Sequence, residues 1–315
     1  MKAQNNEHKN NEYDIAIIGA GCAGLAAAMY SGRFELKTVV FGEIVGGTII
    51  TTDNVENYPG FVRLTGYELA EKLKEHALSY PAVTIIEEKV TNVARENENN
   101  GFVLEASSGK YHAKTIIFST GTEWKKLNIK GEKEFANRGV HYCALCDGTF
   151  YKDKFVAVIG GSDSAAKEAL LLTQFAKRVF MIYRGEKIRP EPINYNRVMD
   201  NKKIEIIYRT NLKEIKGEKN VKSVVLDNPY NGSTEFALDA IFVAIGHNVL
   251  SELAKNLGVK LNAKNEIIID RESKTNISGV FAAGDCVDTV FKQAITGVGE
   301  AVSASYSAYE HIKKE

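Results

Sequence analysis

The sequence predicts an α/β protein that contains two Rossmann-like βαβ units. In the first unit, an apolar strand at 14–18 is followed by a glycine-rich turn, an alanine-rich helix and a second strand at 38–41. The second unit has the same order, with a strand that runs into a glycine turn over 154–161, a helix at 165–175 and a strand at 179–183. The two turns start 141 residues apart (160 − 19), which indicates a duplicated domain rather than a solenoid repeat.

The first glycine turn has the pattern of a dinucleotide-binding site. Gly19 is expected to make the turn, Gly21 to admit a pyrophosphate to the backbone, and Gly24 to let the helix pack on the strand. The helix then begins with free N–H groups at the phosphates. The acid that binds the ribose is expected about 20 residues further on. We choose Glu43 for this role, although Gly42 competes for the same position.

Periodicity predicts the remaining elements that frame these turns. Apolar residues at helical spacing indicate an amphipathic helix over 67–80, and the alanine- and serine-rich segment 293–310 is also predicted to be helical. Apolar runs predict strands at the following places: 84–86, 102–104, 115–121, 238–246 and 280–285. Several of these runs end in glycine, so their carboxyl ends are candidate ligand sites.

Composition excludes several classes of protein. The 40 basic and 40 acidic residues cancel, so the chain lacks the basic footprint of a nucleic-acid-binding protein. Four cysteines in 315 residues are too few for a disulfide scaffold and are typical of a reducing compartment, so we expect a cytoplasmic protein. The polar residues 1–14 lack the apolar core of a signal peptide.

One uncharged stretch is long enough to suggest a membrane span. It covers 15–32, which is 18 residues (32 − 15 + 1). Because it contains four glycines and begins with β-branched residues, a strand, a turn and a helix explain it better than a membrane helix does.

A cysteine pair lies immediately before the second βαβ unit. Cys143 and Cys146 are separated by two residues, so they can close a small disulfide ring and transfer two electrons by thiol–disulfide exchange. An acid, Asp147, follows the second cysteine. The same cysteines together with His141 have plausible zinc-ligand spacing, but no fourth ligand lies nearby in the sequence. A dithiol beside a nucleotide site therefore favours electron transfer from a nucleotide to a disulfide.

From Tyr13 to Ile312 the chain resembles the low-molecular-weight thioredoxin reductases. The motifs that carry the resemblance are GAGCAG at 19–24, ENYPG at 56–60, TG at 120–121, CALCDG at 143–148, GGSDSA at 160–165, AIGH at 244–247, GD at 284–285 and QAIT at 293–296. The resemblance implies an FAD-binding domain formed by 1–121 and 249–315, into which an NAD(P)H-binding domain, 122–248, is inserted. It also implies a homodimer.

The resemblance assigns roles to the redox residues. Cys146 would take electrons from reduced FAD, and Cys143 would form the mixed disulfide with the partner protein. Asp147 would protonate the departing thiolate; the alternative is that it only caps the following turn. Cys22 and Cys286 are expected to be buried bystanders.

The resemblance also assigns cofactor-binding residues. Gly284 and Asp285 would contact the ribityl and phosphate region of FAD, while Gln293 and Ala294 would lie beside the flavin ring. The positions of the motifs add the following residues to the cofactor-binding set: Gly121, Gly160, Ser164 and Ala165.

The nucleotide site departs from the family pattern after its second strand. Three arginines are usual there for the 2′-phosphate of NADPH, and this chain has Arg184 and Arg189 but Gly185 at the middle position. Lys187 could compensate, and these cations could also be ordinary surface residues. The glycine has two explanations: a lost phosphate contact, or a backbone that requires positive φ.

The expected function is that of a thioredoxin-disulfide reductase that uses NADPH and FAD to reduce thioredoxin or a similar small protein. The nearest alternative is a flavin-dependent thioredoxin reductase that receives electrons from ferredoxin or another non-nicotinamide donor. A sensor without enzymatic activity would need an output domain, of which the sequence has no sign. A ferredoxin–NADP reductase would lack Cys143 and Cys146.

Overall fold

The computed structural model describes residues 11–96 and 101–314 of the chain. The chain divides into two compact units, which are described separately. The discontinuous unit combines Met1–Glu123 with Val249–Glu315, and the continuous unit is Trp124–Asn248. The predicted fold class is confirmed: the protein is α/β and has two Rossmann-like domains, the second inserted into the first.

The discontinuous unit is built on a seven-stranded sheet. Its elements before the insertion are β1 (Glu12–Ile18), α1 (Cys22–Arg33), β2 (Thr38–Phe41), α2 (Gly66–Leu78), β3 (Val83–Ile86), β4 (Asn92–Arg95), β5 (Phe102–Ala106), β6 (Gly109–Phe118) and β7 (Thr122–Trp124). The strand order is β3-β2-β1-β6-β5-β4. β1, β2, β3 and β6 form parallel pairs, whereas β4, β5 and β6 form an antiparallel meander.

The continuous unit contains a five-stranded parallel sheet of order β11-β10-β9-β15-β8 and a three-stranded antiparallel sheet of order β12-β13-β14. Its elements are β8 (Val140–His141), α3 (Ala144–Asp147), β9 (Phe155–Ile159), α4 (Asp163–Leu172), β10 (Arg178–Ile182), α5 (Pro192–Asp200), β11 (Ile204–Ile207), β12 (Leu212–Gly217), β13 (Val221–Tyr230), β14 (Ser233–Ala237), β15 (Ala240–Val243) and β16 (His247–Val249).

The chain then returns to the discontinuous unit with α6 (Glu252–Asn256), β17 (Val280–Ala282) and α7 (Ala294–Ile312). β17 adds to the sheet parallel to β6. α7 packs on α1 through small buried residues, which let the two helices approach closely. The hydroxyl of Ser305 donates to the carbonyl of Ala27 at 3.0 Å across this contact. The C-terminal segment therefore completes the domain that the N-terminal segment begins.

The buried apolar runs of the central strands end just before the glycine turns. In β6 the side chains of Ile116, Ile117 and Phe118 are fully buried, and the strand ends immediately before the polar residues 119–121. In the continuous unit β9 is buried from Val156 onward and ends at Ile159, just before Gly160. Both glycine turns therefore follow the carboxyl end of a central strand, which is where α/β folds bind ligands.

Candidate active site

The predicted redox pair forms a disulfide in the continuous unit. The sulfurs of Cys143 and Cys146 are 2.15 Å apart and the Cα atoms 5.4 Å apart. Cys143 is the N-cap of α3, and its Sγ accepts the backbone N–H of Cys146 at 3.1 Å. Gly148 follows the short helix, and a Cβ there would lie 3.1 Å from a methyl carbon of Leu172. The glycine lets α3 pack closely on the end of α4.

The two cysteines differ in exposure. Cys143 is 8% exposed, whereas Cys146 is an exposed residue of α3. Two large apolar side chains near the pair are also exposed: Leu145 is 37% exposed and Phe150 is 76% exposed. Exposed apolar side chains therefore lie close to the disulfide along the chain, where they could contact another molecule.

Asp147 contacts a buried histidine. Its Oδ2 lies 3.0 Å from Nδ1 of His141, within hydrogen-bonding distance although not in aligned hydrogen-bonding geometry. The Nε2 atom of His141 is 2.7 Å from the hydroxyl of Tyr151. The imidazole ring is 4% exposed and stacks on Phe242 with 5.3 Å between ring centroids. Asp147, His141 and Tyr151 therefore form a chain of contacts that starts beside the disulfide.

Burial determines the charge state along this chain. Burial lowers the pKa of His141, and the neighbouring Asp147 only partly opposes this effect. Burial, together with the negative charges of Asp147 and Asp239, raises the pKa of Tyr151 to about 12. At neutral pH the imidazole is therefore neutral and the phenol keeps its proton. The Tyr151 O–H donates to Nε2, and Nδ1 carries the hydrogen that faces Asp147.

Cys22 and Cys286 are free thiols outside this pair. Burial raises the pKa of Cys22 to about 12, and burial also raises the pKa of the fully buried Cys286. A thiol that keeps its proton is a poor nucleophile. Neither residue therefore resembles a reactive cysteine; Cys286 is buried as expected, whereas Cys22 is only partly buried.

The first glycine turn has the geometry that a dinucleotide needs. Gly19 has φ +114°, and a Cβ there would lie 2.2 Å from the carbonyl oxygen of Ser119. A Cβ on Gly24 would lie 1.8 Å from the oxygen of Gly19. At Gly21, by contrast, the nearest atom to such a Cβ would be 3.8 Å away, and no side chain caps α1. The start of α1 is therefore open to a phosphate, so the residues present fit FAD.

Two distant motifs meet near this turn. The side-chain amide of Asn57 donates to Oε1 of Gln293 at 2.9 Å, and Gln293 is the N-cap of α7. Gly284 has φ +85° and donates its N–H to Glu300 at 2.8 Å. The ammonium of Lys292 donates to the carbonyl of Asp285 at 2.8 Å. The other residues assigned to FAD also lie in this unit: Ala294 begins α7, Gly121 follows β6 with φ +65°, and Glu43 is exposed after β2.

The second glycine turn is built similarly. Gly160 has φ +148°, and a Cβ there would lie 2.2 Å from the carbonyl oxygen of Ala244. Ser162 is the N-cap of α4 without a side-chain hydrogen bond, Ser164 is exposed and Ala165 is buried. Burial alone would raise the pKa of Asp163, but hydrogen bonds from Asn194 and Glu191 and the charge of Lys167 hold it below its usual value. The carboxylate is thus already partnered, and the turn fits a second dinucleotide.

Gly185 does not have a positive φ, so the backbone explanation for this glycine is wrong. The actual constraint is steric. A Cβ on Gly185 would lie 2.5 Å from Cε1 of Tyr183, and a Cβ on Gly161 would lie 2.6 Å from Cδ2 of the same ring. The tyrosine ring therefore occupies the space that a side chain at either position would need.

A fourth cation lies beside Gly185 that the sequence pattern did not reveal. The backbone N–H of Arg209 donates to the carbonyl of Gly185 at 3.1 Å, and its guanidinium is 3.0 Å from Glu186. Arg184, Lys187 and Arg189 are exposed in the same loop. Arg209 is 24 residues further along the chain (209 − 185), after β11, and only the parallel pairing of β10 with β11 brings it to this loop.

Neither a cluster of metal ligands nor a membrane-spanning helix is found in the described part of the chain. Within residues 11–96 and 101–314, no group of three metal-ligating side chains is gathered. Over the same residues, no helix is both long and apolar enough to cross a membrane.

Two dinucleotide turns and a closed dithiol define the class of a nucleotide-dependent disulfide oxidoreductase. A protein-family model described as pyridine nucleotide-disulphide oxidoreductase matches residues 13–301. Thioredoxin reductase of Bacillus subtilis (strain 168) is 38% identical over 305 residues, which are 96% of this chain and 95% of the relative.

Solved structures give the same result. The thioredoxin reductase of Lactococcus lactis is 37% identical with a TM-score of 0.91, and the match covers 96% of this chain and 100% of the other. A ferredoxin-flavin thioredoxin reductase from Clostridium acetobutylicum is 31% identical with a TM-score of 0.52, over 96% and 99% of the two chains. The chain belongs to the pyridine nucleotide-disulphide oxidoreductases, and within them to the thioredoxin reductase family.

Proposed function

We propose that this protein is a thioredoxin-disulfide reductase in which electrons pass from NADPH through FAD to the Cys143–Cys146 disulfide and then to thioredoxin or a similar small protein. The observation that carries the proposal is the closed cysteine pair at the start of α3, in the same unit as the second dinucleotide turn. The family assignment supports the same activity and both cofactors.

The residues of this chain have separate tasks in this activity. In the discontinuous unit, Gly19, Gly21 and Gly24 hold the FAD pyrophosphate at the start of α1, with Gly284, Asp285, Gln293 and Ala294 along the rest of the cofactor. When bound, FAD relays two electrons from a nicotinamide to a disulfide. In the continuous unit, Gly160, Ser164 and Ala165 hold NADPH at the start of α4, and the cations of the Gly185 loop bind its 2′-phosphate. We assign the FAD and NAD(P)H domains the boundaries 1–121 with 249–315, and 122–248.

The dithiol step follows ordinary exchange chemistry. The Cys143 thiolate attacks one sulfur of the partner disulfide, a new S–S bond forms, and the other partner sulfur departs as a thiolate. Cys146 then attacks Cys143, which restores the ring and releases the partner's second sulfur. Two electrons and two protons thereby pass from the dithiol to the partner. Asp147 carries protons between the sulfurs.

The exposed apolar residues beside the disulfide suggest how a protein partner docks. Phe150 and Leu145, which are close to the cysteines in sequence, offer exposed apolar area to a protein partner. A small disulfide does not need this contact and could react without it. Phe150→Ala should therefore raise KM for thioredoxin several-fold and leave the rate with a small disulfide unchanged. Met199→Ala removes another large, exposed apolar side chain, on α5, and is the control.

Assembly and location are further parts of the proposal. We infer a homodimer and a cytoplasmic location, which agree with the family resemblance and with the sparse cysteines of the chain. Sedimentation of the FAD-loaded protein tests the dimer directly.

A ferredoxin-type donor is the second candidate, because Gly185 replaces the middle arginine of the NADPH pattern. The intact Gly160 turn and the cations Arg184, Arg189 and Arg209 favour NADPH. The test is turnover of thioredoxin with NADPH, with NADH and with reduced ferredoxin as donors. We expect NADPH to be the best donor, and Cys143→Ser and Cys146→Ser each to abolish turnover. Ferredoxin as the only effective donor would refute the NADPH assignment.

A further inference from the structure

The buried contacts of His141 are not needed to close the disulfide, yet they end at the proposed acid–base group. His141 is the last residue of β8, two residues before Cys143, and its imidazole is 4% exposed. Its two ring nitrogens face Asp147 at 3.0 Å and the Tyr151 hydroxyl at 2.7 Å. A buried imidazole normally has hydrogen bonds at both nitrogens, but here Nδ1 faces, without aligned hydrogen-bonding geometry, a carboxylate that follows the cysteine pair directly.

We propose that His141, fixed by Tyr151, is the positioning residue of Asp147: it directs the carboxyl group while that group carries a proton between the sulfurs. The proposal rests on the proposed function, because it concerns the dithiol step of that reaction. Cys143 attacks as a thiolate, with its proton already held by Asp147. Asp147 gives that proton to the departing thiolate and then passes the Cys146 proton to the second sulfur of the partner. The electrons move only in the sulfur–sulfur bonds that form and break.

The surroundings of the imidazole support a positioning role rather than a charge-switching one. The titratable groups that face it are Asp147 from α3 and Tyr151 from the following turn, and Asp239 acts on Tyr151. The stack of the ring on Phe242 and the hydrogen bond to Tyr151 fix both its plane and its rotation. With Tyr151 donating to Nε2, only Nδ1 can carry the hydrogen, so the hydrogen always faces Asp147. This is how a second group commonly orients an acid–base pair.

The side chain of Asp147 has few other supports. It is 29% exposed, and among the described residues the titratable partner within 4 Å is His141. An aspartate with one anchoring contact can adopt several rotamers once that contact is removed. Loss of the His141 N–H should therefore reduce the fraction of molecules in which the carboxyl group is correctly placed.

The test uses the FAD-loaded protein reduced with dithiothreitol and freed of excess reductant. It is mixed with bis(2-hydroxyethyl) disulfide, and acid-quenched thiol counts give the rate of the exchange. This assay needs neither NADPH nor thioredoxin, so a wrong donor or partner in the proposed function would not affect it. The comparison substrate is 5,5′-dithiobis(2-nitrobenzoate), whose first departing thiolate is stable without a proton.

Four variants separate positioning from a merely structural effect. His141→Asn keeps an N–H near the place of Nδ1, whereas His141→Gln keeps one near the place of Nε2. We expect His141→Gln to slow the aliphatic disulfide about tenfold or more, and His141→Asn to retain at least a third of the wild-type rate. Tyr151→Phe keeps the imidazole and removes only one hydroxyl group, so it should reduce the rate with the aliphatic disulfide two- to fivefold. Tyr142→Phe is the control, because it removes another tyrosine hydroxyl hydrogen bond of this segment, to Glu132 at 2.8 Å, and should leave the rate unchanged.

Two further outcomes decide the proposal. The double variant Asp147→Asn, His141→Gln should be no slower than Asp147→Asn alone, because His141 acts only through Asp147. The first thiolate release from the aromatic disulfide should change less than threefold in all variants. Additive losses, equal rates for His141→Asn and His141→Gln, or unchanged rates in both His141→Gln and Tyr151→Phe would each overturn the proposal.

Discussion

The backbone N–H of Cys146 donates a hydrogen bond of 3.1 Å to the Sγ of Cys143. After the disulfide is reduced, the same donor can stabilise a thiolate on Cys143, because hydrogen bonds to the charged form favour it. Within residues 11–96 and 101–314, no comparable hydrogen bond reaches the Sγ of Cys146, which is also the more exposed residue of the pair. The local geometry therefore agrees with Cys143 as the nucleophile toward the partner.

The two cysteine variants should consequently behave differently. Cys146→Ser keeps the N–H donor and the Cys143 sulfur, so it should form a mixed disulfide with oxidised partner that is stable to gel electrophoresis without reductant. Cys143→Ser should form none, but its Cys146 thiolate should give a long-wavelength charge-transfer band with oxidised FAD. Visible spectra and intact mass measure both effects. A charge-transfer band in Cys146→Ser instead would show that the roles are reversed.

The Tyr183 ring should determine what Gly185 tolerates. In Gly185→Arg alone, a Cβ would lie 2.5 Å from Cε1 of Tyr183, so the ring would have to move, and we expect a lower melting temperature and no gain in NADPH preference. With Tyr183→Ala added, the space opens, and the arginine should widen the preference for NADPH over NADH. Tyr183→Ala alone is the control. A stable Gly185→Arg with wild-type nucleotide kinetics would contradict this explanation.

Arg209 should contribute to the choice of donor. Arg209→Asn is the suitable change, since the residue has φ +53° and asparagine tolerates this conformation. A charge-assisted hydrogen bond to the 2′-phosphate contributes about 1.5–3 kcal/mol, so kcat/KM for NADPH should fall about tenfold or more while that for NADH changes little. Arg178→Asn, which removes a cation paired with Glu205 at the start of β10, is the control. Equal losses for both nucleotides would exclude phosphate recognition by Arg209.

Glu168 should make stability depend on pH. The Oε2 atom of this α4 residue is inaccessible and has no hydrogen-bond partner among the described residues, and burial raises the pKa of the carboxyl group to about 8 from an ordinary 4.5. Between pH 4.5 and about 8 the unfolded chain has lost this proton while the folded protein keeps it, so stability falls as pH rises through this window.

Glu168→Gln should remove that pH dependence and raise the melting temperature at pH 8 relative to wild type, with little change at pH 4.5. Glu218→Gln, an exposed glutamate after β12, serves as the control. Parallel pH dependences of wild type and Glu168→Gln would refute the assignment.

Much of the architecture was predictable because the apolar runs that mark strands and the glycine turns that follow them are both local features of the sequence. The β-branched runs before Gly19 and Gly160, and the small residues after them, predicted strand, turn and helix at the observed places. Thr38–Phe41 has the predicted limits, because polar or glycine residues bound this short run on both sides. The elements that were missed include α5 and the sheet β12-β13-β14, which have mixed polar and apolar patterns that do not stand out in sequence.

The features of the site that were not predictable depend on contacts between distant residues. His141 appeared in sequence only as a possible zinc ligand, and nothing local showed that it would face Asp147 and Tyr151. Arg209 reaches the Gly185 loop through strand pairing rather than sequence proximity. The sequence also could not show why a glycine occupies position 185, since the space that the Tyr183 ring takes depends on its rotamer.

The central claim is that electrons travel from NADPH through FAD to the Cys143–Cys146 disulfide. The most direct measurement is anaerobic titration of the purified protein with NADPH, recording FAD absorbance and free thiols together. We expect a yellow protein with one FAD per chain, in which the first NADPH equivalent opens the disulfide and produces two new thiols. In the variant with both cysteines changed to serine, NADPH should bleach FAD without thiol release. A colourless protein that takes up no FAD, or flavin that NADPH leaves oxidised, would contradict the account.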